Sequence, residues 1–243
     1  MNNIALIIST YDDSEDLWSP LEQTYLEYWK DIGFPIFLTT NQKVFDSQLF
    51  NSLTIGNELS WSDNLIKSLD KIKQEYVLLT FDDLFLTAKV DNQFIEKLMQ
   101  QAIQDEFNYL QFYRSISMGR KLDSLIFKKS NITKYKNSAV WSFWKKDILL
   151  GLLNKEENAW EFERNGNIRS YEYKDFYSTR RNVIPFVNGI IKGVWNPLAK
   201  NKLKRLGFSI SETRPVLGFL TAFRYKIRDL QFDCLTYLIH KVY

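Results

Sequence analysis

The sequence predicts an α/β fold, with a mixed, mostly parallel Rossmann-type sheet flanked by helices, on three observations. YVLLTFDDLFL, Tyr76 to Leu86, is apolar on both faces of an extended chain except where two adjacent carboxylates interrupt it, as in a strand buried between two layers. The chain opens as strand, helix and strand with short joints, which is how a parallel sheet covered by helices begins. A further helix pattern, Ser60 to Gln74, then runs straight into the Tyr76 strand.

Asn3 to Thr10 (NIALIIST) reads as a buried first strand. After an acidic stretch, a helix is expected over Ser19 to Asp31, with Pro20 in its first turn, Leu21, Tyr25, Tyr28 and Trp29 as its apolar stripe, and Gly33 as its stop. Phe34 to Asn41 is the second strand. Phe45 to Leu59 reads as a loop with a short strand at Asn51 to Ile55. In the Ser60 helix, Trp61, Leu65, Leu69 and Ile72 share a face, and Ser60 or Ser62 caps the start.

Beyond the carboxylates LFLTAKV continues as a short strand, and Asp91 opens a helix through Gln104. Tyr109 to Tyr113, SLIFKKS and Ser138 to Trp144 read as extended, and KKDILLGLLNK as an amphipathic helix. ENAWEFERNGN breaks the pattern. Tyr171 to Tyr177 and Asn182 to Asn188 read as late strands. From Lys192 onward ten basic residues face three acidic ones, so this region carries +7 of a net +3 and leaves −4 for the rest. The expected division is a domain over residues 1–196 and a basic, aromatic, helical tail over 197–243.

Composition removes several chemistries. With one cysteine, Cys234, and one histidine, His240, the chain has no internal disulfide, no multi-cysteine zinc site, and a Ser-His-Asp arrangement only by way of a residue near the end. A metal would need oxygen ligands, which points to magnesium or manganese. No glycine-rich dinucleotide or P-loop pattern occurs. MNNIALIIST lacks a basic region and does not read as a signal peptide, and no apolar run is long enough to span a bilayer, so a cytoplasmic protein is expected. A net charge of +3 without a nucleic-acid module pattern argues against nucleic acid as a partner.

Ligands of parallel sheets collect at the carboxyl ends of the strands, where Asp82 and Asp83 emerge. Asp-Asp also simply starts turns. The order of three pieces, IIST (Ile7 to Thr10), SWSDNLIKSLDKIKQEYVLLTFDDLFL (Ser60 to Leu86) and AWEFE (Ala159 to Glu163), resembles GT-A-fold glycosyltransferases over roughly the first two-thirds of the chain. The likeness is greatest to the family-2-like enzymes of bacterial surface-polysaccharide (capsule or O-antigen) assembly. The resemblance implies a GT-A-like domain that transfers a sugar, with inversion, from a nucleotide-diphosphate donor such as a UDP-sugar to a saccharide or lipid-linked acceptor. It implies Asp83 as ligand of Mg2+ or Mn2+ and Asp82 as a contact to ribose or sugar. A carboxylate base is implied in WEFE, either Glu161 or Glu163, with Glu161 preferred.

Donor contacts are implied for Thr10, Asp12, Trp61 and Asn64. Lys67, on the same helix as Asn64, could reach the diphosphate; plainer readings are a cap or solvated position for Asp12, a core position for Trp61, and a solvated helix face for Asn64 and Lys67. Arg114, Arg120 and Lys121 are further candidates for phosphate or acceptor contacts. The basic, apolar tail suits a helix lying on an anionic membrane, and equally a helix packed on the core with a basic outer face. Two other functions fit the same residues: a sugar nucleotidyltransferase, which normally has a glycine-rich basic loop where this chain has STYDDSED, and a non-catalytic membrane-associated subunit.

Overall fold

The computed structural model describes residues 2–115 and 119–242, excepting the side chains at 229, 232, 233 and 236–242. In chain order, β1 (Ile4–Ser9) leads through a 3-10 turn (Asp12–Ser14) into α1 (Glu15–Tyr28), β2 (Ile36–Thr40), β3 (Asn51–Thr54), α2 (Trp61–Lys71), β4 (Tyr76–Phe81) and β5 (Leu84–Leu86). Then follow α3 (Asn92–Gln104), β6 (Tyr109–Gln111), β7 (Gly119–Lys121), β8 (Ile126–Lys129), β9 (Ser142–Lys145), α4 (Lys146–Leu152) and α5 (Ala159–Arg169). After a 3-10 turn at Ser170–Glu172 come β10 (Phe176–Thr179), β11 (Phe186–Asn188), β12 (Ile190–Ile191), β13 (Val194–Trp195), α6 (Pro197–Arg205) and α7 (Phe219–Val242).

Nine strands form one sheet in the order β3-β2-β1-β4-β9-β6-β10-β8-β7. Only β9 and β8 run against the others, so the sheet is mixed and mostly parallel. Alternate residues of β4 feed two cores, as the apolar run on both faces requires. Leu78 joins Leu6, Ile8, Trp18, Tyr25 and Trp29 on the α1 and α3 side, whereas Val77 and Leu79 join Ile7, Leu65, Leu69, Trp144 and Phe162 on the α2, α4 and α5 side.

Local signals explain most element starts. Ser60 caps α2 by accepting from the Asp63 amide, and Asp91 caps α3 by accepting from that of Phe94. Helix α1 starts four residues earlier than the periodicity suggests, and Pro20 lies inside it. A proline there forgoes one backbone hydrogen bond at a cost of about 3 kcal/mol. Leu17 and Trp18, fully buried by the extra turn, offset this at about 1.5–3 kcal/mol each. The WEFE segment, expected to break the pattern, is the start of α5, closed by a capping box between Asn158 and Glu161. The strand expected over Tyr171 to Tyr177 is confined to Phe176–Thr179, because the Lys136 ammonium gathers the carbonyls of Ser170 and Tyr173 into the preceding turn.

The basic region does not stand off as a whole. Asn196 caps α6 with Pro197 in the first turn, and Leu203 is fully buried in the core. Phe208 packs edge-on against Tyr28, with centroids 5.7 Å apart, and the Arg214 guanidinium grips Asp16 of α1 through two bonds, 3.0 and 2.6 Å. Helix α7 then leaves Phe219, Leu220, Phe223 and Leu230 exposed, with Ala222 buried against the fold. Among the described residues no helix is long and apolar enough to cross a membrane.

Candidate active site

The site forms where β1 and β4 end side by side, with Ser9 opposite Phe81. Asp82 and Asp83 make the turn between β4 and β5, so the backbone does start a turn there. The Asp83 carbonyl accepts from the Gly189 amide at 2.7 Å, which pins the turn to the β11–β12 connection. Only glycine fits at 189, since a Cβ would lie 2.4 Å from the Phe85 ring.

Asp82 is buried, and its Oδ2 accepts from the Thr10 hydroxyl at 2.5 Å; Thr10 Oγ1 in turn accepts from Trp18 Nε1 at 2.9 Å. Thr10 therefore tethers Asp82. Both aspartates line a cavity of about 210 Å³ with Trp160, Glu163 and Asn188. Burial raises the Asp82 pKa against the opposing pull of the Thr10 and Ser14 hydroxyls and Arg214. Burial and then the neighbouring Asp82 charge raise that of Asp83.

Glu163 enters the same cavity from α5. Its Oε1 accepts from Ser138 Oγ at 2.6 Å and from the Ala139 amide at 2.9 Å. Ser138 has one proton, so the 3.0 Å contact from Tyr113 must be donated by the phenol. Among the described contacts these bonds leave Oε2 as the unengaged oxygen. Burial raises the Glu163 pKa, while Ser138, the Ala139 amide and the buried Lys129 ammonium work against the rise. Lys129 is held by Gln111 Oε1 and the carbonyls of Tyr135 and Lys136.

The other expected site residues are distributed as follows. Glu161 lies outside this cavity, its Oε2 accepting from the Asn158 amide in the capping box at 2.9 Å. Of the two glutamates, the structure brings Glu163 beside the aspartates and leaves Glu161, the preferred one, at the helix end. Asp12 spends both carboxylate oxygens on the amides of Asn41, Gln42 and Lys43, at 2.8 to 3.2 Å. Trp61 donates to Ser9 Oγ at 2.9 Å and stacks on Phe81, forming a wall of the strand ends. Asn64 is buried, with no protein partner for its Oδ1 among the described residues, and Lys67 pairs with Asp63. Arg120 and Lys121 lie on β7, five strands from β4 in the sheet order.

Trp160 is 82% exposed, whereas Phe162, two residues on, enters the core. Sequence reasoning missed Ser138, Tyr113, Asn188 and Arg214. None carries a local signal, and Arg214 reads as one more base in a basic tail.

A divalent cation fits the donor set. The turn offers hard carboxylate oxygens that repel one another, and Arg214 acts on them by charge without a hydrogen bond among the described contacts. No group of three acidic, histidine or cysteine side chains is arranged to hold a metal among the described residues. A cation at Asp83 would therefore complete its shell with phosphate oxygens and water, as magnesium commonly does.

No protein-family model matches the chain, and no curated protein sequence matches it. Among solved structures, the fold is similar to that of the mannosyltransferase PcManGT from Pyrobaculum calidifontis in complex with GDP-Man and Mn2+. The TM-score is 0.53 at 9% identity, over 86% of this chain and 65% of that one. It is also similar to apo UDP-glucose pyrophosphorylase, with a TM-score of 0.51 at 6% identity, over 77% of this chain and 92% of that one. S. aureus TarS 1-349 in complex with UDP-GlcNAc aligns with a TM-score of 0.49 at 12% identity, over 73% of this chain and 58% of that one. The chain spans 36% of the longer TarS structure and 64% of another TarS 1-349 structure. At these identities the likeness establishes the fold, a mixed α/β sheet of the GT-A and nucleotidyltransferase kind.

Proposed function

We propose that this chain is a glycosyltransferase that moves a sugar from a nucleotide-diphosphate donor, with a UDP-sugar first in order, to a saccharide or lipid-linked acceptor in polysaccharide assembly, with inversion. The observation that carries the reading is the sharing of one cavity by the Asp82–Asp83 turn and Glu163. The similarity in fold to a mannosyltransferase in complex with GDP-Man and Mn2+ supports it.

In this reading Asp83 holds Mg2+ or Mn2+, which would neutralise charge on the departing diphosphate. Asp82, fixed by Thr10, contacts the ribose or sugar. Glu163 is the base: Oε2 takes the proton of the acceptor hydroxyl as its oxygen bonds to the anomeric carbon and the bond from that carbon to the diphosphate breaks. A carboxylate whose pKa is raised by burial suits proton abstraction better than an exposed one. Thr10, Asp12 and Trp61 would shape the donor side from behind, through Asp82, the 41–43 turn and the strand ends. Residues 1–196 then form the catalytic unit. The tail, 197–243, brings the enzyme to the cytoplasmic face of a membrane through α7, where Phe219, Leu220 and Phe223 are exposed near Arg224, Lys226 and Arg228.

A second reading, sugar nucleotidyl transfer, is favoured by the similarity to UDP-glucose pyrophosphorylase across 92% of that chain. The loop after β1, STYDDSED, has neither the glycines nor the bases that would cradle a triphosphate.

The test is product analysis with a panel of nucleotide sugars, Mg2+ or Mn2+ and saccharide acceptors. UDP or GDP release is expected, and Glu163→Gln and Asp83→Asn are each expected to lower it by about 10²–10⁴-fold while the fold is kept. Full turnover by Asp83→Asn removes that residue from the metal. Pyrophosphate formed from UTP and a sugar 1-phosphate, without release from nucleotide sugars, selects the second reading.

A further inference from the structure

The geometry points to an acceptor subsite in the open groove beyond Glu163, where Trp160 carries a sugar ring and Arg164 meets an acidic substituent on it. The inference deepens the transferase reading and rests on it.

Five of the seven tryptophans, Trp18, Trp29, Trp141, Trp144 and Trp195, are fully buried, and Trp61 is half-buried. Trp160 alone is left in solvent, at 82% exposure. It stands in the first turn of α5, between the cavity of the aspartates and a second cavity of about 640 Å³, and with Glu163 it is common to the linings of both. A molecule seated in the second cavity therefore also meets Glu163.

The lining suits a pyranose. Trp160, Tyr135 (61% exposed) and Ile168 (64% exposed) offer apolar faces for the C–H side of a ring, while the ring hydroxyls stay in water. Tyr135 is held at φ 57°, a left-handed conformation that bulky residues rarely adopt and that recurs at ligand sites. The buried Lys129 ammonium fastens it by binding its carbonyl at 3.2 Å. Arg164 is exposed on the same lining, where Glu163 is the only carboxylate among the described residues. The Arg164 guanidinium beside a ring platform favours a saccharide bearing a phosphoryl or carboxyl group over a neutral one.

The test uses the full chain and collisional quenching by acrylamide, which reads Trp160 above the buried indoles. The probes are a neutral glucose disaccharide and the same disaccharide carrying a 6-phosphate, and UDP binding with Mg2+ is measured on the same samples. Both disaccharides are expected to protect the exposed tryptophan, the phosphorylated one at about tenfold lower concentration, as one charge-assisted contact would give. Ile168→Asp should abolish the protection of Trp160 while leaving UDP binding intact, and Arg164→Gln should remove the tenfold preference alone. UDP binding without protection by either disaccharide at millimolar concentration overturns the subsite and leaves the transferase reading standing. Equal protection by both, unchanged in Arg164→Gln, overturns the acidic preference. Protection without any nucleotide binding supports the subsite and counts against the parent reading.

Discussion

Arg214 lies 198 residues from Asp16, yet the pair joins the chain after α6 to the first turn of α1, beside the loop that holds Asp82. The guanidinium makes two bonds to the Asp16 carboxylate and one each to the carbonyls of Gly193 and Asp13, with side-chain exposures of 11% for the arginine and 20% for the aspartate. Its pKa is raised, chiefly by the hydrogen bond to Asp16. Arg214→Met keeps the apolar stem and leaves Asp16 without its cation. Breaking a fully buried pair costs about 3–5 kcal/mol. Residual solvent and the position of Asp16 in a helix first turn reduce this to roughly 2–3 kcal/mol. For a chain of this size that corresponds to a Tm lowered by about 4–12 °C. Thermal denaturation followed by circular dichroism measures it, and Asp16→Asn completes a double-mutant cycle whose coupling should hold most of the loss. A Tm within about 1 °C of the parent, or two fully additive losses, would refute the docking of this segment on α1.

The sequence division at 196 and the role of Glu163 give further expectations. Truncation after Gly218 removes α7 and should leave a cooperatively folding protein that no longer binds anionic vesicles. Truncation after Lys202 also removes Leu203, Phe208 and Arg214 and should give aggregated material in size-exclusion chromatography. Ser138→Ala deletes a donor to the ionised form of Glu163, so its pKa rises further and the acid limb of the pH–rate profile moves to higher pH. An unmoved limb would exclude Glu163 as the titrating base. With Asp82, Asp83 and Glu163 all raised above their unfolded values, the metal-free protein is most stable below about pH 4 as far as these groups are concerned. It loses that contribution as pH rises through their folded values. Asp83→Asn should flatten this decline in urea titrations at several pH values, and an unchanged slope would show that Asp83 ionises freely.

What could be read from the sequence was local. The apolar runs at Ile4–Ser9 and Tyr76–Phe81, the Ser60 cap and the Asp91 cap each announce an element through their own residues. The start of α1 was hidden because Pro20 and an acidic run outweigh, in any local reading, the burial of Leu17 and Trp18. Helix α5 carries the Asn158-x-x-Glu161 box in plain sight but lacks a wide apolar stripe, since only Phe162, Gly166 and Asn167 face inward. That one assignment separates the two glutamates in space. Residues two apart on a helix point about 200° away from each other, so Glu161 closes the cap and Glu163 turns to the cavity. The antiparallel insertion of β9 between β4 and β6, the Ser138–Tyr113 support and the Arg214–Asp16 pair join distant stretches, and no periodicity within either stretch encodes them.

Binding of UDP in the presence and absence of Mg2+ or Mn2+, with Asp83→Asn alongside, tests the central claim most directly. At a nucleotide concentration of about 100 times Kd the stabilisation is about 2.7 kcal/mol. That should raise the Tm by about 5–11 °C with metal, with little rise without it or in Asp83→Asn. The same rise without metal and in Asp83→Asn, or an unchanged Tm with every nucleotide and metal combined, would contradict a metal–diphosphate site at the Asp82–Asp83 turn.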